Sequence, residues 1–429
     1  MKPLANSFRW KAAAVILLAV VVRVAFVVAV EKGAVRFEFN PDSYDYLSFA
    51  HNLATGVGFA HAVNEYQPFS TPVQFSAWRP PLYPAVLAIA FQFSQSTFFL
   101  ELTQVAFSAV ALYLFLRLGF VLFGELAALV SGLIFAVYPP LVMYSADLGT
   151  ESLFLLLLIA ALFLFYARDG NPSLARVFSL GVLVGLAALC RPNGLMLAPA
   201  LGLAIWLTAS DWRQAGRRFA VLTVAVALMI FPWTYRNYRL FHKAVLISTG
   251  GGPALWSGAH FRLEPGASLA DIGFLHMLDS LPQPQRRVME GLPEPEQERQ
   301  FYLWAFTILN RSPRRLGVMA WRNFEAMYTL VPSAQYHSFR NRVLYSVSYI
   351  PVLASGVVGC WLVRRRWREL SLLWGWILTN TTLYCLYFAT IRYRVPTVDP
   401  ILMLGAGVSL AALWGKVQNP HLNVAKDAQ

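Results

Sequence analysis

Residues 40–60, NPDSYDYLSFAHNLATGVGFA, are the most informative stretch of this 429-residue chain. They predict a short helix, because Asn40 is a favourable N-cap and Pro41 suits the first helical position. Asp42 and Asp45 are three residues apart, so both carboxylates can project from one side of the helix. The apolar residues recur at helical spacing, which indicates an amphipathic helix at a membrane surface with its acids at the water boundary. Asp42 alone is equally well explained as a partner of the helix dipole.

The composition is that of a membrane protein. Hydrophobic residues make up 57% of the chain and charged residues only 13%, about half the charged fraction of a soluble protein. The net charge of +13 comes from basic residues spread between apolar runs. This distribution excludes a nucleic-acid footprint and fits anionic lipid headgroups and cytoplasmic loops. The three cysteines, Cys190, Cys360 and Cys385, have no ligand spacing, so neither a disulfide framework nor a cysteine metal site is indicated.

The apolar runs predict an all-α polytopic membrane protein of one domain, a bundle of about ten transmembrane helices with both termini in the cytoplasm. The large outer loop is expected to hold amphipathic helices near residues 300–309 and 316–328. The predicted segments are a first span at 12–30, an outer loop with interfacial helices at 31–97, six spans at 98–235, a large outer loop at 236–343, three spans at 344–414 and a cytoplasmic tail at 415–429.

Four polar clusters fall on the same outer side in this topology. They are Asp42 with Asp45, Asp147 with Glu151, Arg191 with Arg236, and Arg392 with Arg394. Arginine is under-represented on the outer side, so these arginines need a local reason, and guanidinium groups match phosphate geometry. Pro396 is expected to keep Arg392 and Arg394 extended, so that they point the same way. Acids facing phosphate-binding arginines describe a site that cleaves a glycosyl–phosphate bond.

The chain resembles the GT-C class of membrane glycosyltransferases that use polyprenyl-phosphate sugars. Within that class it is most similar to the group of protein O-mannosyltransferases and lipid A aminoarabinose transferases, a glycosyltransferase family 39-like pattern. The resemblance runs through PDSYDYLSFAHNLATGVGF, RPPLYPAVLA, the acidic pair at 147 and 151, CRPNG, PWTYRNYRLFHKAVLISTGGGPALWSG and RYRVPTVDP, in this order.

The resemblance implies a GT-C-like fold and an inverting transferase that moves a sugar from a polyprenyl-phosphate donor to an acceptor at the extracytoplasmic face. It implies Asp42 as the general base, Asp147 and Glu151 at a second acidic position, and Arg392 and Arg394 near the lipid phosphate. Many relatives have Asp-Glu where this chain has Asp42 followed by Ser43. Metal use varies across the class, and a divalent metal is left open because no ligand set beyond carboxylates is visible.

The expected partners are the lipid-linked donor, a lipid, glycan or protein acceptor, and membrane lipids, but no nucleic acid. The expected location is the inner membrane of a bacterium or archaeon. Candidate acceptor-site residues are Tyr44, Asp45, His61 and Glu65, although the polarity of a loop also explains them. The competing hypothesis is a flippase or transporter of lipid-linked sugars. Such proteins usually show inverted repeats and helices broken at the midplane, and neither pattern is visible here. A third hypothesis is a non-catalytic assembly protein.

Overall fold

The computed structural model describes residues 6–35, 41–62, 74–167, 172–264, 281, 283–289, 291–334 and 338–414, and these are almost entirely helical. The helices are α1 (Asn6–Glu31), α2 (Pro41–Ala54), α3 (Leu82–Phe91), α4 (Thr97–Phe123), α5 (Glu125–Val137), α6 (Pro139–Met143), α7 (Glu151–Tyr166), α8 (Leu174–Cys190), α9 (Leu197–Thr208), α10 (Trp212–Phe241), α11 (Gly251–Leu263), α12 (Gln283–Met289), α13 (Glu294–Leu309), α14 (Arg314–Tyr328), α15 (Phe339–Leu362), α16 (Ser371–Leu386), α17 (Ile391–Arg394) and α18 (Asp399–Leu413). Two 3-10 turns lie at Pro192–Met196 and Arg364–Arg366, and β1 (His61–Ala62) pairs antiparallel with β2 (Gln74–Phe75). The predicted all-α class is confirmed.

Four of the described helices, α1, α4, α10 and α15, are long and apolar enough to cross a membrane. Several shorter apolar helices accompany them, among them α5, α7, α8 and α18. A multi-pass membrane protein is therefore confirmed, because spanning segments must satisfy their own backbone groups as helices. The number of ten spans and the segment boundaries stay predictions.

The bundle is built around α4, which packs on α1, α5 and α7, while α18 packs between α5 and α15. The crossing of α15 and α18 depends on small residues. A Cβ atom at Gly359 would lie 1.8 Å from the carbonyl oxygen of Gly405, so only glycine allows the two backbones to approach this closely. Four more of the described helices complete the bundle. Helix α8 packs on α7 and α10, and α9 packs on α10 and α16.

The segment between α1 and α3 contains the predicted helix as α2, which packs on α3. The buried face of α2 includes Tyr46 and Ala50, and the Tyr46 ring meets the Tyr83 ring of α3 edge to face at 5.2 Å. Gly56 follows the helix with a φ of +82°, a conformation that favours glycine. The N-cap prediction for Asn40 lies outside the described residues.

Three of the helices in the large polar region, α11, α13 and α14, pack together, and we call them the outer-loop unit. This unit has an apolar core separate from that of the bundle, with α11 packed on both α13 and α14. The core includes Trp256 of α11, Phe301 and Ala305 of α13, and Met319 of α14. Helices α13 and α14 contain the two amphipathic segments expected from the sequence.

Candidate functional site

Asp42, in the first turn of α2, has its two carboxylate oxygens bonded by two arginines from distant parts of the chain. Arg79 donates through Nη2 to Oδ1 of Asp42, and Arg392 donates through Nη1 to Oδ2 at 2.6 Å. Carboxylates bonded by two guanidinium groups make strong, charge-assisted hydrogen bonds with fixed geometry. Asp42 therefore lies at the centre of an ion-pair bridge, and the spacing of Asp42 and Asp45 contributes directly to it, because Arg79 also reaches Asp45 at 2.7 Å.

The bridge continues on both sides. Nε of Arg79 and Nε1 of Trp78 donate to Oδ2 of Asp45, at 2.9 and 3.2 Å. On the other side, Nε of Arg392 and Nη1 of Arg191 both donate to Oε1 of Glu151, at 2.6 and 2.7 Å. The result is a row of six alternating charges, which we call the charge row: Asp45, Arg79, Asp42, Arg392, Glu151 and Arg191.

The expectation that Arg392 and Arg394 are extended and point the same way is wrong. Residues Ile391–Arg394 form the helical turn α17, so side chains two residues apart point to different sides. Arg394 is fully buried and pairs with the fully buried Asp399 at 2.7 Å. Its guanidinium carbon lies 3.5 Å from the ring centre of Tyr349. The structure therefore brings Arg392 to Asp42 and places Arg394 in the packing beneath it.

Asp147 lies in the loop before α7 and approaches the start of α2. Its Oδ1 accepts a hydrogen bond from Oγ of Ser43 at 2.7 Å. Gln104 of α4 holds the same loop, because its Nε2 lies 3.0 Å from the main-chain oxygen of Asp147 and 2.9 Å from that of Gly149. The Asp147 carboxylate also helps to raise the pKa of Arg392. Ser43 thus ties the loop of Asp147 to the first turn of the helix that carries Asp42.

The charges of the row stabilise one another. Burial opposes ionisation of Asp42, but Arg79 and Arg392 outweigh it and hold the pKa of Asp42 well below its usual range. Burial likewise disfavours the charged form of Arg392, yet Glu151 and Asp42 raise its pKa well above the usual value. Both partners are therefore ionised at neutral pH. Burial also raises the pKa of the neighbouring Tyr46 to about 12, so that phenol stays neutral.

Arg236, predicted to bind the donor phosphate together with Arg191, lies elsewhere. It donates to the main-chain oxygens of Ser76 at 2.7 Å and Phe59 at 3.0 Å. Its guanidinium also lies over the Trp233 ring, 4.8 Å from the ring centre. These contacts hold together the two chain segments that flank the β1–β2 pair. Arg191 is thus brought into the charge row, and Arg236 is not.

Of the four candidate acceptor-site residues, the structure describes the side chains of Asp45 and Tyr44, which have different surroundings. Asp45 belongs to the charge row, whereas Tyr44 is 65% exposed on the outer face of α2. His61 lies in β1, where only its backbone is described, and Glu65 lies outside the described residues. Their assignment to an acceptor site stays a prediction.

Arg79 is the residue of the charge row that sequence reasoning missed. It follows Trp78 and precedes Pro80 in the predicted first outer loop, so the predicted topology places one more arginine on the side where arginine is under-represented. The argument that singled out Arg191 and Arg392 applied to it equally. Arg79 was overlooked because no acidic residue is near it in the sequence and it lies three residues before a short helix.

The described residues do not fit a resident divalent metal in this arrangement. No group of three or more His, Cys, Asp or Glu side chains that could hold a metal ion occurs among them. Both oxygens of Asp42 and Oε1 of Glu151 face guanidinium groups instead. The positive charge around the acids is thus supplied by arginine side chains of the chain itself.

Comparison with known proteins supports the resemblance found in the sequence. Residues 78–235 match the family model of the dolichyl-phosphate-mannose-protein mannosyltransferases. This segment begins at Trp78 and includes Arg79, Asp147, Glu151 and Arg191 of the site. A search of curated protein sequences finds no match.

The fold is shared with solved membrane enzymes. The oligosaccharyltransferase AglB of Archaeoglobus fulgidus, solved with an inhibitory peptide and a dolichol-phosphate, matches with a TM-score of 0.57 at 14% identity, over 99% of this chain and 52% of that one. Its complex with Zn and sulfate matches with a TM-score of 0.57 at 13% identity, over 94% and 49%. ArnT of Cupriavidus metallidurans, bound to undecaprenyl phosphate, gives a TM-score of 0.43 at 15% identity, over 94% and 78%.

The likeness to the oligosaccharyltransferase confirms the fold. The chain has the GT-C fold that the sequence resemblance implied, and it spans about half the length of the oligosaccharyltransferase that it matches.

Proposed function

We propose that this GT-C-fold chain is an inverting glycosyltransferase that moves a sugar from a polyprenyl-phosphate donor to a lipid, glycan or protein acceptor. The observation that carries the proposal is the position of Asp42, whose carboxylate is held between Arg79 and Arg392. The fold and the family match of residues 78–235 support it. We place the site at the extracytoplasmic face of a bacterial or archaeal inner membrane, because the basic cluster of Arg364–Arg368 favours the opposite side as cytoplasmic.

The arginines of the charge row are suited to hold the donor phosphate. Without a donor, the acids neutralise Arg392 and Arg191. A phosphate group offers ionised oxygens that can replace a carboxylate as the partner of a guanidinium group, with matching geometry. Oε2 of Glu151 is buried and has no hydrogen-bond partner among the described residues, so a hydroxyl of the donor sugar can donate to it. Phosphate and sugar would thus bind side by side.

When the donor phosphate replaces Asp42 as the partner of Arg392, Asp42 also becomes a stronger base. With Arg392 bonded to it, Asp42 is a weak proton acceptor because its pKa is low. Once the donor phosphate takes over Arg392, Asp42 loses the hydrogen bond from this guanidinium group and the pKa of its carboxyl rises towards the ordinary value. Asp42 then accepts the proton of the acceptor hydroxyl or amine as that group attacks the anomeric carbon.

The bond that breaks joins the anomeric carbon to the phosphate oxygen, and its electron pair goes to the phosphate. Arg392 and Arg191 stabilise the additional charge on the departing polyprenyl phosphate, which is the main electrostatic contribution expected of such a site. A single displacement on the face opposite the phosphate inverts the anomeric configuration. The products are the glycosylated acceptor and polyprenyl phosphate.

The test is a product analysis with purified protein in lipid nanodiscs or vesicles and a radiolabelled polyprenyl-phosphate sugar. We expect release of polyprenyl phosphate and transfer of the sugar with inverted anomeric configuration. A flippase would instead move the donor across the bilayer unchanged. Recovery of intact donor on the opposite leaflet, with no polyprenyl phosphate formed in the presence of cell-envelope acceptors, would overturn the proposal.

A further inference from the structure

The outer-loop unit binds the chain segment that leads to Arg79. Glu294, the first residue of α13, is buried and accepts hydrogen bonds from the main-chain nitrogens of Ser76 at 2.8 Å and Ala77 at 3.1 Å. The main-chain nitrogen of Thr249, just before α11, donates to the oxygen of Ala77 at 3.0 Å. Both backbone groups of Ala77 are therefore held by the outer-loop unit or its entry, two residues before Arg79.

The same unit binds the segment that leads to Arg392. Asn323 of α14 is fully buried, and its Oδ1 accepts from the main-chain nitrogen of Ala389 at 3.3 Å. Arg262 of α11 donates to the oxygen of Ala389 at 2.8 Å and to Oδ1 of Asn323 at 2.9 Å. Both backbone groups of Ala389 are thus bonded to the unit, three residues before Arg392. Nδ2 of Asn323 also donates to the main-chain oxygens of Cys385 and Tyr387, at 3.1 and 3.2 Å.

The two contacts are mechanically joined. Thr249 lies two residues before the start of α11 and Arg262 lies in its last turn, while Glu294 and Asn323 lie on the two helices packed against it. One apolar core holds all three helices. A shift of this unit therefore acts on both arginine-bearing segments at once.

The arginines need such support. Arg79 lies in an irregular segment and Arg392 in a single helical turn, where few backbone bonds restrain the chain. Arginine side chains also lose rotamer entropy when they are fixed, so holding two of them on one carboxylate requires a fixed backbone on both sides. Glu294 and Asn323 form hydrogen bonds with main-chain atoms of the segments that carry the two arginines, so they act on the charge row through its backbone.

We propose that Glu294 and Asn323 are positioning residues through which the outer-loop unit sets Arg79 and Arg392 on the two sides of Asp42, Glu294 acting on Arg79 and Asn323 acting on Arg392. The inference rests on the proposed function and deepens it: the large outer loop aligns the phosphate-binding arginines. An acceptor that binds the outer-loop unit would for this reason act on both arginines together.

Double-mutant cycles test whether Glu294 acts on Arg79 and Asn323 acts on Arg392. Glu294→Gln and Asn323→Asp are near-isosteric changes, and each is combined with Arg79→Lys and with Arg392→Lys. The readouts are turnover per folded protein and affinity for undecaprenyl phosphate, with the melting temperature recorded for every variant. Glu296→Gln is the matched control, because it removes the same charge from α13 but its side chain pairs with Lys243 instead.

We expect Glu294→Gln to be non-additive with Arg79→Lys, and Asn323→Asp with Arg392→Lys, by about threefold or more in turnover. The two crossed pairs should be additive within about twofold, and the Glu296 control should match the wild type. Additive effects in all four pairs, or equal non-additivity in all four that follows the melting temperature, would overturn the inference while leaving an active wild type. A wild type that releases no polyprenyl phosphate would overturn the proposed function and this inference together.

Discussion

Arg392 bonds two acids through different nitrogens, Asp42 through Nη1 and Glu151 through Nε. This use of the guanidinium fork distinguishes a geometric role from a mere positive charge. Attraction to lipid headgroups depends on charge alone and tolerates lysine, whereas bonds from two sides of one planar group do not. Arg394, which lies two positions further along the chain, is therefore a direct comparison for Arg392.

Arg392→Lys is expected to lower both donor affinity and turnover although the net charge is kept. The loss should be about tenfold or more, since one charge-assisted hydrogen bond contributes roughly 1.5 kcal/mol or more. Arg394→Lys is the matched variant: its buried pair with Asp399 predicts a lower melting temperature and reduced yield, with near-normal turnover of the protein that folds. Wild-type affinity and turnover in Arg392→Lys would remove this arginine from the site.

The wrong prediction for the backbone around Arg394 shows the limit of local sequence rules. The rule that the residue before proline avoids the helical region predicted an extended segment, but Val395, which precedes Pro396, has φ −53° and ψ −51°. Val395 is buried, and the main-chain nitrogens of Thr397 and Val398 both donate to the oxygen of Arg394. Tertiary packing thus overrides a local preference. By contrast, residue type and a predicted common side of the membrane singled out Asp42, Glu151, Arg191 and Arg392, whose side chains meet in the structure.

At the scale of elements, α2 was predictable because its signals are local: the helix-compatible proline, the spacing of apolar residues and the following glycine. The pairing of α2 with α3, and of the outer-loop unit with both arginine-bearing segments, was not predictable, since it depends on contacts between residues far apart in the chain. Helix α4 shows the same limit. One turn of it carries two buried polar side chains, Glu101 and Gln104, whose environments differ sharply.

Glu101→Leu is expected to raise the melting temperature. Neither carboxylate oxygen of this fully buried side chain has a hydrogen-bond partner among the residues that the structure describes. Burying such a group without a partner costs about 1–3 kcal/mol, which an apolar side chain would avoid. Gln104→Leu is the matched change on the same face, and it should lower the melting temperature because it leaves the main-chain oxygens of Asp147 and Gly149 without their donor. Thermal unfolding of the two purified variants and the wild type measures both effects. A lower melting temperature in Glu101→Leu would contradict this expectation.

At the scale of the whole molecule, the start of α2, the start of α7 and the turn α17 meet through Asp42, Glu151 and Arg392, which were predicted to lie on one side of the membrane. That convergence comes from the order of apolar runs and loops, which the sequence displays. Which partner each arginine takes could not be read in this way, because the convergence brings several acids within reach of each arginine.

The sidedness of this end is tested by cysteine labelling in a cysteine-free background. Tyr44→Cys, on the exposed face of α2, should react with an impermeant thiol reagent in intact cells or spheroplasts, because the charge row is proposed to face outwards. Arg365→Cys, in the basic cluster between α15 and α16, should react only after the membrane is permeabilised. Labelling of Arg365→Cys from outside, with Tyr44→Cys protected, would invert the topology.

The most direct test of the central claim is the rate at which purified protein releases polyprenyl phosphate, compared for the wild type, Asp42→Asn and Asp45→Asn. Asparagine keeps the size of aspartate but cannot accept the acceptor's proton. The account predicts that Asp42→Asn folds, still binds the lipid phosphate and turns over about 10²-fold or more slowly, as expected for loss of a positioned base. Asp45→Asn weakens the contacts of this residue with Arg79 and Trp78 but keeps the Asp42 carboxylate, so its turnover should be affected much less. Near-wild-type release by Asp42→Asn would contradict the account and return Asp42 to the role of a helix-dipole partner.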